Sequence, residues 1–312
     1  MKIVFMGTPD LAKSVLEAII RAGHEVTAVV TQPDKPKGRS GQMQFPPVKE
    51  CALQHGIAVL QPAKIKAPEA VQELRGYEAD IFVVVAFGQI LSKEILDMPR
   101  LGCVNVHASL LPKYRGAAPI NRCIIDGEQE TGVTIQQMDE GLDTGDILSV
   151  KTVSIDPRET AQTLYNKLAD AGAELIVDTL PRLERGELTP VKQEESRACY
   201  AKKLDKALGE IDWSGDAVVL ERLVRGLNPW PSAYTWYQGK SVKLWDCAVA
   251  DTARSGAEAG TITAVAKDSF DVACGTGSLR VFALQLEGKK RMDTKTFLLG
   301  NPWKAGMRLG KE

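Results

Sequence analysis

A chain of 312 residues with 44% hydrophobic and 25% charged side chains has the composition of an ordinary globular protein and is long enough for two domains. Its formal net charge of -1 argues on average against a nucleic-acid partner, but residues 1–181 hold 18 basic against 23 acidic side chains while residues 182–312 hold 21 against 17. No apolar run is long enough to span a bilayer, no secretion leader is visible, and six scattered cysteines lack any Cys-x-x-Cys, so a membrane protein and a metal centre drop out and a reducing, cytoplasmic setting is expected.

Lys2 to Met6 reads as a buried strand ending at Gly7-Thr8-Pro9, and Pro9-Asp10 opens a helix with Leu11, Val15, Leu16, Ile19 and Ile20 at helical spacing. With Glu25 to Thr31 as the second strand, this β-α-β opening predicts an α/β domain with a mostly parallel, Rossmann-like sheet. The first turn holds a single glycine where a dinucleotide cradle needs Gly-x-Gly-x-x-Gly, so no NAD site is expected. Gln32 to Pro47 is rich in proline, glycine and basic residues, with Lys35, Lys37 and Arg39 interleaved, and predicts an exposed, mobile loop. A helix over Pro47 to Gln54, a short strand over Ile57 to Leu60 and a helix over Pro68 to Leu74 follow. Asp80 to Ala86 is then an almost unbroken β-branched run, as in a central parallel strand buried on both faces.

Next comes Gly102 to Pro112. Strand side chains alternate between faces, so Val104 and Val106 share one face and Cys103, Asn105 and His107 the other, at the carboxyl end of a strand where open α/β sheets collect ligands. An amide that donates a hydrogen bond beside an imidazole that moves a proton suits acyl transfer and lacks only an orienting carboxylate. Asp143, in a short loop bracketed by Gly141 and Gly145, is the candidate. The chain has only one Asp-Thr-Gly, which excludes an aspartic protease, since that chemistry needs two carboxylates sharing a proton.

Arg115 to Ile125 is predicted as a helix, and Val133 to Met138 and Ile147 to Val153 as strands extending the sheet antiparallel at its edge. Asp156-Pro157 opens a long amphipathic helix carrying Leu164, Leu168, Leu175, Ile176, Thr179 and Leu183, which closes the first domain near Arg185-Gly186. Gln193 to Lys206 is polar and holds Lys202, Lys203 and Lys206, as an interdomain linker with a basic face would. Asp212-Trp213-Ser214 leads into one short helix. Five short strand candidates follow, at Tyr234 to Tyr237, Val242 to Val249, Thr261 to Ala266, Ser269 to Cys274 and Ser278 to Leu286, and they suit a smaller, OB-like β-barrel domain. The domain boundaries expected are 1–188, a linker over 189–205, and 206–312.

An Asn-x-His on a strand, the following Ser109-Leu110-Leu111-Pro112 and the later Leu142-Asp143-Thr144-Gly145 together resemble the signature of the 10-formyltetrahydrofolate-dependent formyltransferases. Lys2 to Pro9, Thr31-Gln32-Pro33-Asp34, Arg115 to Ile120, Thr131 to Ile135 and Asn228-Pro229-Trp230-Pro231 are similar to the methionyl-tRNA formyltransferases among them, so the likeness covers nearly the whole chain. It implies a formyl donor, 10-formyltetrahydrofolate, used as co-substrate without a metal, and initiator methionyl-tRNA as the acceptor, with catalysis by Asn105, His107 and Asp143. It implies folate contacts at Ser109, Leu110, Leu111 and Pro112 and from the loop Gln89, Ile90 and Leu91. It also places the Lys35, Lys37, Arg39 loop against the acceptor end of the tRNA, although Ser40-Gly41-Gln42 stands where the family commonly continues with Gly-Lys-Lys. Lys203, Lys206, Lys289, Lys290 and Arg291 are further candidates for phosphate contact. A monomer with no membrane association is the expectation. The competing readings keep the same catalytic residues with another acceptor, an amino-sugar nucleotide, glycinamide ribonucleotide or water, or drop catalysis for a tRNA-binding protein.

Overall fold

β-branched runs alternating with amphipathic helices build the first half of the chain. The computed structural model describes residues 1–37, 42–253 and 256–311. β1 (Lys2–Gly7) leads through α1 (Asp10–Arg21) to β2 (Glu25–Val30). Asp10 lies in the first turn of α1 and Arg21 in the last, each at the end where the helix dipole favours its charge, while Leu11, Val15, Leu16 and Ile19 bury one face. Then come β3 (Lys35–Lys37), β4 (Gln42–Gln44), α2 (Pro47–Gln54), β5 (Ala58–Leu60), α3 (Pro68–Arg75), β6 (Ile81–Val85), α4 (Lys93–Leu96) and β7 (Cys103–His107). The two-residue β8 (Arg115–Gly116), α5 (Pro119–Asp126), β9 (Glu130–Gln137), β10 (Ile147–Ser154), α6 (Ala161–Glu184) and the two-residue β11 (Tyr200–Ala201) follow.

The main sheet runs β10-β9-β7-β6-β1-β2-β5. The strands from β5 to β7 are parallel, and β9 and β10 join antiparallel beyond β7. The winding reverses between β1 and β6, which opens a crevice beyond the carboxyl ends of the central strands. All five residues of β6 are buried, and Val4, Met6, Val30, Phe82 and Val84 pack with Leu74 and Ile95 on one side of the sheet. Each such side chain contributes roughly 1.5–3 kcal/mol by leaving water. Gly7 has a packing role. A methyl group there would lie 2.7 Å from Ala12 Cβ and 2.9 Å from the Val85 carbonyl oxygen, so the lone glycine seats α1 against the sheet.

Three expectations are corrected. Gln32 to Pro47 contains an antiparallel ribbon, Lys35–Lys37 against Gln42–Gln44, which the sequence conceals because three-residue arms are too short to show strand alternation. The helix expected from Arg115 begins at Pro119, because Arg115 and Gly116 pair in parallel with Tyr200 and Ala201. α6 begins at Ala161 instead of Asp156.

The chain folds into two units, neither of them a contiguous stretch: Met1–Pro119, Glu130–Ser154 and Tyr165–Ala201 form one, and Ile120–Gln129, Ile155–Leu164 and Lys202–Glu312 the other. In the second unit, α7 (Ala217–Gly226) is capped by Asp216, whose carboxylate accepts from Val218 N at 2.7 Å. β12 (Ala233–Tyr237), β13 (Lys240–Asp251), β14 (Ile262–Val265), β15 (Phe270–Ala273), β16 (Ser278–Leu286) and β17 (Met292–Asp293) precede α8 (Thr294–Gly300). The sheet runs β12-β13-β16-β15-β14 with β17 on β16, antiparallel throughout. Its core holds Trp213, Leu220, Val224 and Phe270, with Trp303 stacked edge-on against Phe270 and Phe297. The five strands expected from the sequence are present, with β17 and α8 in addition. Residues 120–129 and 155–164 are tied into this unit: Asn121 Nδ2 donates to Gly226 O at 2.7 Å, and Arg225 Nη1 donates to Glu159 O at 2.8 Å. Among the described residues, no helix is long and apolar enough to cross a membrane.

Candidate active site

β7 carries Asn105 and His107 on the same face, as strand alternation requires, and pairs on one side with β6 and on the other with β9. In the antiparallel pair Asn105 stands opposite Gln136. The loop between β9 and β10 folds back over these two amides. Asp139 Oδ1 closes it by accepting from Gly141 N at 3.0 Å and from Thr144 Oγ1 at 2.6 Å. Asp143 takes a left-handed backbone at φ +54, a region non-glycine residues seldom occupy. At Gly145 a methyl group would overlap the Gln137 carbonyl oxygen, so only glycine lets the loop close this tightly.

That geometry delivers the Asp143 carboxylate to the two β7 side chains. Oδ1 accepts from Gln136 Nε2 at 2.9 Å and from Asn105 Nδ2 at 3.2 Å, and Oδ2 accepts from the backbone N–H of Gly116 at 2.8 Å. His107 Nδ1 stands 3.6 Å from Oδ1, a charge contact just outside hydrogen-bond range. The other ring nitrogen, Nε2, lies 3.0 Å from the Tyr114 carbonyl oxygen. A carbonyl only accepts, so Nε2 carries a proton and Nδ1 is the nitrogen free to exchange one at the carboxylate side. His107 is 6% exposed, Asn105 half-buried. Cys103 shares their face, but burial, aided by Asp97, pushes its thiol up to about 12, so it stays neutral and is no nucleophile.

The site reaches further than the sequence suggested. Arg115, 1% exposed, donates from Nη1 to Glu195 Oε1 at 3.1 Å and pairs through Nη2 with Oε2 at 2.9 Å. Its Nε donates to Gln193 Oε1 at 3.1 Å, and Gln193 Nε2 donates to the carbonyls of Asp143 at 2.8 Å and Gly145 at 2.7 Å. Tyr114 N donates to Cys199 Sγ at 3.2 Å. Polar residues of the 193–201 stretch therefore hold the site. Gln136, Tyr114, Arg115 and Gln193 are site residues that did not stand out in the sequence. Only Gln136-Gln137 left a trace, as an amide pair at the end of a strand.

The folate candidates lie in the turns after β7 and β6, two neighbouring parallel strands. Ser109 is buried and donates through Oγ to Lys113 O, and Leu111 N donates to Thr134 Oγ1, which in turn donates to Ser109 O. That turn is fastened to β9, leaving Leu110 and Pro112 half-buried. Gln89 accepts from Ile65 N at 2.7 Å and donates to Pro62 O at 3.1 Å, Leu91 joins the core, and Ile90 is 68% exposed. An open cleft of about 450 Å³ adjoins the Asp143 loop, lined by Leu96, Gly102, Gln137, Met138, Asp139 and Glu140 among others. Of the candidate phosphate contacts, Lys35, Lys203, Lys206, Lys289 and Lys290 are exposed, and Arg291 stacks its guanidinium 4.9 Å from the Trp245 ring centroid. Lys37 lies in β3, and Arg39 lies outside the described residues, as do Ser40 and Gly41. Among the described residues, no group of three or more His, Cys, Asp or Glu side chains could hold a metal ion.

The family described as Formyl transferase matches residues 1–180, and its C-terminal domain matches residues 203–302. A methionyl-tRNA formyltransferase of Lachnospira eligens is 55% identical over 315 residues, covering 100% of both chains. One of Agathobacter rectalis is 55% identical over 302 residues, covering 96% of each. Among solved structures, the N-formyltransferase from Helicobacter canadensis in complex with folinic acid and dTDP-3-aminofucose aligns with a TM-score of 0.68 at 18% identity, over 94% of this chain and 100% of that one. HypX from Aquifex aeolicus in complex with tetrahydrofolic acid aligns at 0.66 and 17%, over 100% of this chain and 51% of that one. At such identity these two share the fold alone.

Proposed function

The chain belongs to the formyl transferase family, and on that premise we propose that it moves the formyl group of 10-formyltetrahydrofolate onto the α-amino group of methionyl initiator tRNA. The observation that carries this reading is the meeting of Asn105, His107 and Asp143 at one point, in a chain that aligns end to end with methionyl-tRNA formyltransferases.

As the amine attacks the formyl carbon, negative charge develops on the formyl oxygen. Asn105 gives one Nδ2 hydrogen to Asp143 and keeps the other for that oxygen, and His107 Nδ1 supplies the second donor when it carries a proton. Asp143 holds the histidine and the amide in register and accepts the proton leaving the amine, directly or through water; the adduct then collapses with cleavage of the bond between the formyl carbon and N10, and the proton passes to N10 as tetrahydrofolate leaves. The donor's folate is assigned to the turns after β7 and β6, to Ser109, Leu110, Leu111 and Pro112 and to Gln89, Ile90 and Leu91, beyond the carboxyl ends of neighbouring parallel strands. There the half-buried Leu110 and Pro112 and the exposed Ile90 offer apolar contact to a flat heterocycle. The exposed Lys35, Lys203, Lys206, Lys289, Lys290 and Arg291, with Lys37 and Arg39, would meet tRNA phosphates.

The test supplies the formyl donor with methionyl initiator tRNA and, in parallel, with an amino-sugar nucleotide and with glycinamide ribonucleotide. Formylmethionyl-tRNA as the product is expected. Formylation of a small acceptor in preference to the tRNA would overturn the assignment.

A further inference from the structure

We propose that Gln193 is a positioning residue for the transfer reaction: its amide fixes the backbone of the Asp143 loop and thereby the direction in which the Asp143 carboxylate points. The inference rests on the catalytic reading of Asn105, His107 and Asp143.

A carboxylate at a left-handed residue has no regular secondary structure to hold it. Its oxygens are met by Asn105, Gln136 and Gly116, but these fix only the tip of the side chain. Within the loop, Asp139 holds Gly141 and Thr144. The carbonyls of Asp143 and Gly145 are met from outside, by one side chain: Gln193 Nε2 directs one hydrogen to each. Both amide hydrogens are thus engaged, and the amide oxygen is held in turn by the buried Arg115 guanidinium. Rotation of the amide would place its oxygen against two carbonyl oxygens and its NH2 against a cation, so this orientation is enforced.

The same stretch also steadies the histidine. Arg115 N donates to Cys199 O at 2.9 Å and Tyr114 N to Cys199 Sγ, and the Tyr114 carbonyl is the partner of His107 Nε2. Residues 193–199 therefore touch the supports of both His107 and Asp143 while contacting neither side chain's reacting atoms. A support of this kind acts on turnover, since small displacements of a reacting group cost up to about 100-fold in rate.

The test substitutes Gln193→Glu, which keeps an acceptor for Arg115 Nε but loses both donors to the loop, with Gln193→Met as a second variant should the first fail to fold. Thermal melting establishes that each variant is folded. The expected result is a fall in kcat of about 10- to 100-fold with KM for the formyl donor and for methionyl-tRNA unchanged. Each substitution is repeated in the Asp143→Asn background, where the loop no longer presents a carboxylate and Gln193→Glu should cause no further loss. Wild-type kcat in both Gln193 variants would overturn the proposal, as would equal losses in the two backgrounds, which would make Gln193 act elsewhere. Wild-type kcat in Asp143→Asn alone would remove the catalytic reading itself, and the proposal with it.

Discussion

Asn105 is the residue whose loss should be plainest, because its amide gives one hydrogen to Asp143 and the reading assigns the other to the formyl oxygen. Asn105→Ala is expected to lower kcat by about 100- to 1000-fold, as removal of one oxyanion donor does elsewhere. Melting temperature and methionyl-tRNA affinity should stay near wild type, since the side chain is half-buried and outside the main core. Turnover within a few fold of wild type in steady-state kinetics would refute its role. Asn105 and His107 were legible in the sequence because a strand puts alternate residues on one face, and Asp143 because two glycines announce a tight turn. Tyr114 and Gln193 were not. Tyr114 acts through a backbone carbonyl, which every residue has, and Gln193 lies 50 residues from the loop it holds. Neither contact leaves a pattern in residue type or spacing.

The loop between β9 and β10 is the element on which the site depends, and Gly145 is its tightest point. Gly145→Ala must push the loop away from Gln137, because the added methyl meets backbone and not a side chain that could swing aside. We expect a destabilisation of about 1–3 kcal/mol, read as a lower melting temperature, together with a kcat loss as Asp143 is displaced. Element ends also set the acid limit of stability. The carboxyl of Asp293, which caps α8, is lowered by the backbone N–H of Thr296 and its hydroxyl, and that of Asp80 by the backbone N–H of Lys2 and by Arg100. A folded pKa below the unfolded value of about 3.9 means that this stability is whole above about pH 4 and is lost as pH falls through the folded values. Asp293→Asn keeps a capping oxygen but cannot titrate, so its melting temperature should fall less steeply below pH 4 than that of the wild type. Element type was readable almost throughout from hydrophobic period. The starts of α5 and α6 were misplaced because Arg115-Gly116 and 156–160 have sequences that a helix could accept but make contacts that a helix would break.

Across the whole molecule, the six cysteines divide sharply. Burial raises Cys51, holds Cys247 far above its ordinary value, and pushes Cys274 up to about 11 and Cys103 up to about 12, whereas Cys199 is exposed. At pH 8 a thiol reagent should therefore find one fast site in the native protein, absent in Cys199→Ser. Labelling it should slow turnover by shifting Tyr114, the partner of His107. Several thiols titrating at the same fast rate would contradict the burial. The division of the chain carries a consequence for its biosynthesis. Residues 120–129 and 155–164 leave the ribosome early, yet the partners they belong with, Gly226, Asp246 and Asn228 among them, come at least 60 residues later. At roughly 5–20 residues per second, Asn121, Arg158 and Gln162 wait several seconds for these partners while the strands of the first sheet are already made. That interval, more than any weakness of the finished protein, is when a holding chaperone would have something to grip.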